Sequence, residues 1–172
     1  INDILSGRFE SKPALAVTVV YSGGDDVFLL GAWNDVVEAA LRIRQAFTAF
    51  SCGALTISAG LALVDDHYPV RLSAAASGDL EDLAKQAPDK DAVCLFEGAH
   101  CYSWDTFTKR VLGEKKAALE AFFGTRGQER GTAFLYRTLD LLRTAQDPKD
   151  GKLQLARYAY LLARLEPPRT SP

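Results

Sequence analysis

The hydrophobic pattern at the start of the chain predicts a β-hairpin. Two runs of β-branched and apolar residues, Ala14–Tyr21 and Val27–Leu30, have the composition of strands. The residues between them, from Ser22 to Asp25, include two glycines. Because glycine adopts positive φ at little cost, this composition favours a tight turn that folds the second run back on the first.

Helix and strand patterns then alternate along the chain. Apolar residues recur at helical spacing from Val36 to Phe50, with Asn34 as the expected N-cap. Strands are expected at Leu55–Leu63 and Ala92–Phe96, and a second helix lies between them from Pro69 to about Ala87. The order strand, strand, helix, strand, helix, strand predicts an α+β domain of palm-like or ferredoxin-like layout with an antiparallel sheet.

The remainder of the chain is expected to be helical. Ser103 can cap a helix from Trp104 to about Phe123, and a second helix fits Thr132–Gln146. A third spans about Lys152 to Leu165. We therefore expect two domains, an α+β domain over residues 1–100 and an all-α domain over residues 101–172.

The composition is typical of a globular protein, with 48% apolar and 24% charged side chains among 172 residues. The formal net charge of -2 is unevenly divided. Residues 1–100 carry seven Lys/Arg against fourteen Asp/Glu, while residues 101–172 carry thirteen against eight. This asymmetry favours a nucleic-acid-facing surface in the second part. No apolar run reaches the roughly 18 residues of a membrane span, so we expect no membrane association.

The cysteines favour a reducing environment. Cys52, Cys94 and Cys101 are odd in number and irregularly spaced, which argues against a disulfide framework and against a structural zinc site. We expect all three to be thiols and the protein to be cytoplasmic.

Two adjacent carboxylates follow the glycines of the predicted hairpin. Asp25 and Asp26 offer hard oxygen ligands, and Mg²⁺ is held by one or two carboxylates together with waters and substrate phosphates. Gly23 and Gly24 would leave room for a triphosphate to approach the backbone. Two metal ions in such a site can activate an attacking 3′-hydroxyl and stabilise the leaving pyrophosphate. A surface turn without a ligand also fits this sequence.

The wider pattern resembles a known family. The run VVYSGGDDVFLLGAW, the helix after it, LTISAGLAL and a helix containing Ala84-Lys85 resemble the second palm domain of the large subunit of type III CRISPR effectors, in its Csm-type version. The segments AFLYRTLDLLR and ARYAYLLARLEPP are similar to the helical domain that follows it. The resemblance covers essentially the whole chain and implies a GGDEF-like palm, truncated at its N-terminus.

Members of that family convert ATP into cyclic oligoadenylates when the effector complex binds target RNA. The resemblance therefore implies a nucleotidyltransferase with a two-metal site for Mg²⁺ or Mn²⁺, and with other effector subunits, guide RNA and target RNA as partners. The implied site residues are the catalytic metal ligands Asp25 and Asp26 and the nucleotide contacts Ser22, Gly23 and Gly24. Lys85 aligns with a lysine that could contact phosphates, although a solvated helix lysine fits equally well.

Part of the family's site is not recognisable in this sequence. The family's palm begins with an earlier strand that carries a further metal carboxylate, and Asp3 lies in an apparently helical segment instead. Since the chain starts at Ile1 and contains no methionine, we expect it to be a piece of a longer protein that is catalytically inactive alone.

Basic residues of the helical part recur at a spacing of seven, which places both members of a pair on one helix face. Such pairs are Arg130 with Arg137 and Arg157 with Arg164. These faces could bind an RNA backbone or a protein partner. A solvated helix face is the simpler alternative.

Two other functions remain possible from the sequence. A GGDEF-type diguanylate cyclase would have Glu and Phe after the first acidic residue, whereas Asp25 is followed by Asp26 and Val27. A non-catalytic scaffold that binds RNA and protein subunits would not need the two carboxylates.

Overall fold

The computed structural model describes residues 1–8, 13–126, 132–145, 156–160 and 163. The chain divides into two units, Ile1–Glu114 and Lys115–Pro172. The strands are β1 (Val17–Gly23), β2 (Asp26–Gly31), β3 (Ala59–Leu61), β4 (Ala92–Leu95) and β5 (Cys101–Ser103). The helices are α1 (Asn2–Leu5), α2 (Trp33–Phe50), α3 (Val70–Ala84), α4 (Trp104–Thr106), α5 (Lys116–Arg126) and α6 (Thr132–Ala145), with a 3-10 turn at Pro88–Lys90 and a π-helical segment at Phe107–Lys115. Within the described ranges, no helix combines the length and the apolar character needed to cross a membrane.

The predicted hairpin is present as a two-stranded antiparallel sheet of β1 and β2. Val17 pairs with Gly31 at its base and Gly23 with Asp26 at its tip, so residues 24 and 25 form the turn. A tight pairing at the base requires a glycine, because a Cβ on Gly31 would overlap the carbonyl oxygen of Ala16. Local turn chemistry thus produces the element that the sequence predicts.

The other three strands form a second sheet in the order β3, β4, β5. β3 and β4 run parallel because α3 provides the crossover between them, and β4 and β5 run antiparallel. The predicted α+β class is confirmed. The parallel pair is a feature that the prediction of an antiparallel sheet did not include.

β3 is shorter than the predicted strand Leu55–Leu63. The hydroxyl of Thr56 donates to the carbonyl oxygen of Asp89 at 2.8 Å, and that of Ser58 donates to the carbonyl oxygen of Lys90 at 2.7 Å. Side chains therefore hold the segment before Ala59, where the sequence pattern predicts strand pairing.

The core of the first unit is built around β4, whose four residues are all buried. Val93 and Leu95 lie in one cluster with Leu61, Trp104 and Phe107. Trp104 is only 1% exposed, and its indole nitrogen donates a hydrogen bond to the carbonyl oxygen of residue 57 at 2.8 Å. The largest buried side chain of this core thus comes from beyond residue 100.

This packing explains where the first unit ends. Because β5, Trp104 and Phe107 belong to its sheet and core, the unit continues to Glu114, whereas the sequence places a domain boundary after residue 100. The start of the helix at this point is as predicted. The Ser103 side-chain oxygen accepts a hydrogen bond from the Thr106 backbone nitrogen at 3.2 Å, which is an N-cap.

The start of α2 differs from the prediction. The helix begins at Trp33, directly after Ala32, so the assignment of Asn34 as its N-cap is wrong. The Asn34 amide lies inside the first turn and donates to the side chain of Asp35 at 2.8 Å. The Asp35 carboxylate is itself engaged with the chain before β1, which the sequence pattern does not reveal.

Two of the three cysteines are paired. Cys94 and Cys101 lie directly opposite each other on β4 and β5, with their Cα atoms 4.0 Å apart, and form a disulfide. The prediction that all cysteines are thiols is therefore wrong for these two, and only Cys52 is free. Since β5 is absent from the predicted elements, the sequence could not show that the two residues face each other. The cysteines no longer argue for a reducing compartment.

Candidate metal and nucleotide site

The tip of the hairpin carries the two predicted metal ligands. Asp25 is the second turn residue and Asp26 the first residue of β2, and both are exposed. Among the residues that the structure describes, none donates a hydrogen bond to either carboxylate or forms an ion pair with it. Both carboxylates are therefore available to a cation. Asp25 and Asp26 do not belong to a larger cluster, since the described ranges contain no group of three or more metal-binding side chains.

The two glycines of the tip have different surroundings. Gly24 has a φ of 62°, and a Cβ built there would meet nothing within 4 Å. At Gly23, a Cβ would lie 2.9 Å from the phenolic oxygen of Tyr21. The space expected beside the backbone is thus open at Gly24, whereas the Tyr21 ring already occupies it at Gly23. Ser22, between them and Tyr21, is exposed on β1.

The structure brings Lys85 into electrostatic range of the hairpin. Lys85 follows the last residue of α3, and its ammonium group lies 2.8 Å from the Glu81 carboxylate. The hydrogen bond that the Lys85 ammonium group donates to the Glu81 carboxylate raises the pKa of Lys85, and the negative charges of Glu81, Asp82 and Asp26 raise it further. Lys85 is about half exposed, so its ammonium group remains accessible to solvent beside its contact with Glu81.

The base of the hairpin is anchored to α2 by polar side chains that the sequence pattern does not predict. The Asp35 carboxylate accepts a hydrogen bond from the Ala16 nitrogen at 2.9 Å. The buried guanidinium of Arg42 donates to the Pro13 carbonyl oxygen at 3.0 Å and to the Glu38 carboxylate at 2.9 Å. These bonds fix the entry of β1. Their only sequence signal is a charged residue within the apolar spacing of a helix.

The predicted basic surface is described only in part. Arg137 in α6 and Arg157 in the helical segment 156–160 are both exposed. Arg130 and Arg164 lie outside the described residues. The exposed positions fit either a solvated helix face or a binding surface.

Together these features define a palm-like α+β unit that carries a glycine-turn hairpin with two exposed carboxylates and is followed by helices. Family models support the same division. The model for the second palm domain of Cas10/Cmr2 matches residues 3–94, and that for the second helical domain of the Cmr2 subunit of the CRISPR RNA silencing complex matches residues 120–171. The chain belongs to the Cas10/Cmr2 family.

Relatives and solved structures agree with this assignment. The chain is 40% identical over 164 residues to the CRISPR system single-strand-specific deoxyribonuclease Cas10/Csm1 (subtype III-A) of Mycobacterium tuberculosis, covering 95% of this chain and 20% of that protein. It is 44% identical over 148 residues to the protein of the same name from Enterococcus italicus, covering 86% and 19%.

A crystal structure of a Csm1-Csm4 cassette in complex with cA4 matches with a TM-score of 0.67 and 26% identity, over 95% of this chain and 25% of that one. This chain therefore spans about a fifth of the length of the curated relatives that it matches.

Proposed function

We propose that this chain provides the GGDD hairpin of a nucleotidyltransferase that makes cyclic oligoadenylates from ATP within a type III CRISPR effector complex. The observation that carries the proposal is the pair of exposed carboxylates, Asp25 and Asp26, which no described residue engages by a hydrogen bond or an ion pair. A surface turn that binds no ligand would not need two adjacent carboxylates beside a glycine with open space. The cassette structure in complex with cA4 supports a cyclic oligoadenylate as the product.

The donor set fits Mg²⁺ or Mn²⁺. Both ions prefer hard oxygen ligands, and Mg²⁺ keeps several waters, so two carboxylates and the substrate phosphates suffice to hold it. When bound, two such ions supply the polarisation of the attacking 3′-hydroxyl and the stabilisation of the leaving pyrophosphate. Asp25 and Asp26 would hold them at the tip of the hairpin.

The surrounding residues would bind the nucleotide. Gly24 leaves its backbone accessible, and the exposed hydroxyl of Ser22 can donate a hydrogen bond. Lys85 would contribute a positive charge to the phosphates after releasing Glu81, a contact between two partly exposed groups that costs little to break. Removing the Lys85 charge would then weaken nucleotide binding more than it destabilises α3.

Further parts of the site belong to the longer protein in this proposal. A third carboxylate would come from a strand outside this chain, so the chain alone would be inactive. The exposed residues Arg137 and Arg157 would contact guide or target RNA, or another effector subunit. A cytoplasmic location follows from the proposed substrates, ATP and RNA.

The decisive experiment uses the full-length protein assembled with its partner subunits and RNA. Asp25→Ala combined with Asp26→Ala should lower oligoadenylate formation from ATP and Mg²⁺ by at least about a hundredfold, because metal catalysis supplies several kcal/mol to the transition state. Product would be measured by chromatography of radiolabelled nucleotides.

A second pair of adjacent carboxylates provides the matched control. Asp65 and Asp66 are exposed in the loop before α3, so Asp65→Ala with Asp66→Ala should leave product formation unchanged. If product persisted without Asp25 and Asp26, the catalytic assignment would be wrong. If the wild-type complex bound RNA and never formed product, the scaffold function would be the better description.

A further inference from the structure

A β-bulge in β1 changes the direction of the side chains next to the tip. Val19 pairs with Leu29, whereas Tyr21 pairs with Phe28, so Val20 is an extra residue without a partner. Consecutive residues of a strand point to opposite faces. Tyr21 therefore shares the face of Phe28 and lies opposite to Val19, although an unbroken β1 would place Tyr21 and Val19 on one face.

The bulge brings the Tyr21 side chain beside a proposed metal ligand. After the bulge, Tyr21 and Gly23 lie on the same face, and Gly23 is paired directly with Asp26. Directly opposite residues have their Cβ positions only about 4.5–5.5 Å apart. A Cβ on Gly23 would lie 2.9 Å from the phenolic oxygen of Tyr21. The hydroxyl of Tyr21 thus lies over Gly23, on the face of the hairpin that presents Asp26.

The hydroxyl of Tyr21 makes no structural contact with the residues that the structure describes. Tyr21 is 56% exposed, and no residue in the described part of the chain makes a hydrogen bond with its phenolic oxygen. A phenylalanine would cover Gly23 equally well, since only the ring is needed for that contact. A phenol hydroxyl is a neutral hydrogen-bond donor, so it would not repel an anion beside Asp26.

We propose that Tyr21 is a nucleotide-binding residue whose hydroxyl donates a hydrogen bond to the phosphate chain of ATP. The inference rests on the proposed function, because it takes the site at Asp25 and Asp26 to be the place where the triphosphate binds. Hydrogen bonds to charged phosphate oxygens are among the stronger ones available to a neutral side chain. The bulge at Val20 is the feature that places the donor there.

The test compares Tyr21→Phe with the wild type in the full-length protein and its complex. The substitution keeps the ring over Gly23 and removes only the hydroxyl. We expect the KM for ATP, and the Kd of a non-hydrolysable ATP analogue with Mg²⁺, to rise about tenfold, as for the loss of one hydrogen bond to a charged group. The thermal unfolding midpoint should not change. The inhibition constant of adenosine, which has no phosphate, should also be the same for both proteins.

Two further substitutions make the result specific. Tyr68→Phe removes the hydroxyl of another exposed tyrosine, which precedes the start of α3. Lys85 follows the end of the same helix, and the two ends of α3 are about 22 Å apart along the helix axis. Tyr68→Phe should leave both constants unchanged. Tyr21→Leu removes the stacking surface of the ring as well. If Tyr21→Phe behaved like the wild type and only Tyr21→Leu weakened binding, the ring would make the contact and the hydroxyl proposal would be overturned.

The outcomes separate this inference from the function on which it rests. Unchanged ATP constants in Tyr21→Phe, together with an inactive Asp25 and Asp26 double variant, would refute the role of Tyr21 and leave the function standing. An equal weakening for ATP and adenosine would refute the phosphate contact. If the double variant still formed product, the function would fail. The Kd of the ATP analogue would then decide on Tyr21 independently, because equal values for Tyr21→Phe and wild type would overturn its role.

Discussion

The two sheets of the first unit differ in what fixes their strands. All four residues of β4 are buried, whereas β1 and β2 contain no buried residue. β4 is held by the side chains packed around it. The hairpin is held at its base by hydrogen bonds to α2, and its turn depends on the positive φ of Gly24. A strand of the first kind tolerates few changes. One of the second kind keeps polar groups at its tip free for a ligand.

Two glycines show the same contrast. A Cβ on Gly60 in β3 would overlap backbone atoms of Ser77 and Glu81 in α3, so this glycine permits close packing of helix and sheet. A Cβ on Gly24 would meet nothing, and its φ of 62° is the reason for a glycine there. The sheet therefore uses glycine for contact, and the hairpin tip uses glycine for conformation.

The largest expected loss of stability is that of Trp104→Ala, because the Trp104 side chain packs in the core around the three-stranded sheet. This substitution should lower the free energy of unfolding by about 3–5 kcal/mol, because it leaves a cavity beside Phe107. It also removes the hydrogen-bond donor to the carbonyl oxygen of Ile57, which adds to the cost. Urea denaturation followed by circular dichroism, with hydrogen exchange of the β4 amides, would measure the loss.

The other tryptophan is the matched control for this prediction. Trp33 is 62% exposed at the start of α2, next to the hairpin, and Trp33→Ala should change the free energy of unfolding by about 0.5 kcal/mol or less. Equal losses for the two tryptophans would contradict the assignment of the core to the second sheet.

Alanine at the two glycines should have intermediate effects of unequal size. Gly60→Ala is expected to cost about 3 kcal/mol, at the upper end for overpacking, since only backbone atoms stand in its way. Gly24→Ala is expected to cost about 1 kcal/mol for its left-handed backbone. Asparagine adopts this conformation more readily, so Gly24→Asn should recover stability relative to alanine, whereas Gly60→Asn should lose more. The same denaturation measurement ranks the four variants, and the opposite order at either position would disprove the stated cause.

The contrast also explains which parts of the fold the sequence predicts. The hairpin is found because its signals are local: two β-branched runs and a glycine turn within 17 residues of chain, from Ala14 to Leu30. β5 is missed because a strand of three residues carries almost no pattern of its own. Its position depends on pairing with β4, and the disulfide between Cys94 and Cys101 depends on that pairing in turn.

The residues of the candidate site also differ in whether the sequence alone predicts them. Asp25, Asp26 and Gly24 follow from the motif alone. The bulge at Val20, which decides the face of Tyr21, depends on the register between two strands and leaves no signal in the alternation of residues. The first unit extends to Glu114, beyond the boundary expected after residue 100, and the sequence does not indicate this because the helical pattern after Ser103 does not show that Trp104 is buried in that unit.

The smallest expected effect on stability belongs to the residues with the largest expected effect on activity. Asp25→Ala combined with Asp26→Ala should change the free energy of unfolding by no more than about 0.5 kcal/mol, because both carboxylates are exposed and accept no hydrogen bond from a described residue.

In the full-length protein, ATP with Mg²⁺ at ten times its Kd should stabilise the wild type by about 1.4 kcal/mol and the double variant by much less. Thermal unfolding with and without ATP and Mg²⁺ measures both quantities, and Asp65→Ala with Asp66→Ala should respond to the ligand like the wild type. A loss of several kcal/mol in the double variant without ligand would mean that the two carboxylates hold the hairpin together, and the distinction between a packed sheet and a hairpin tip kept free for chemistry would no longer apply.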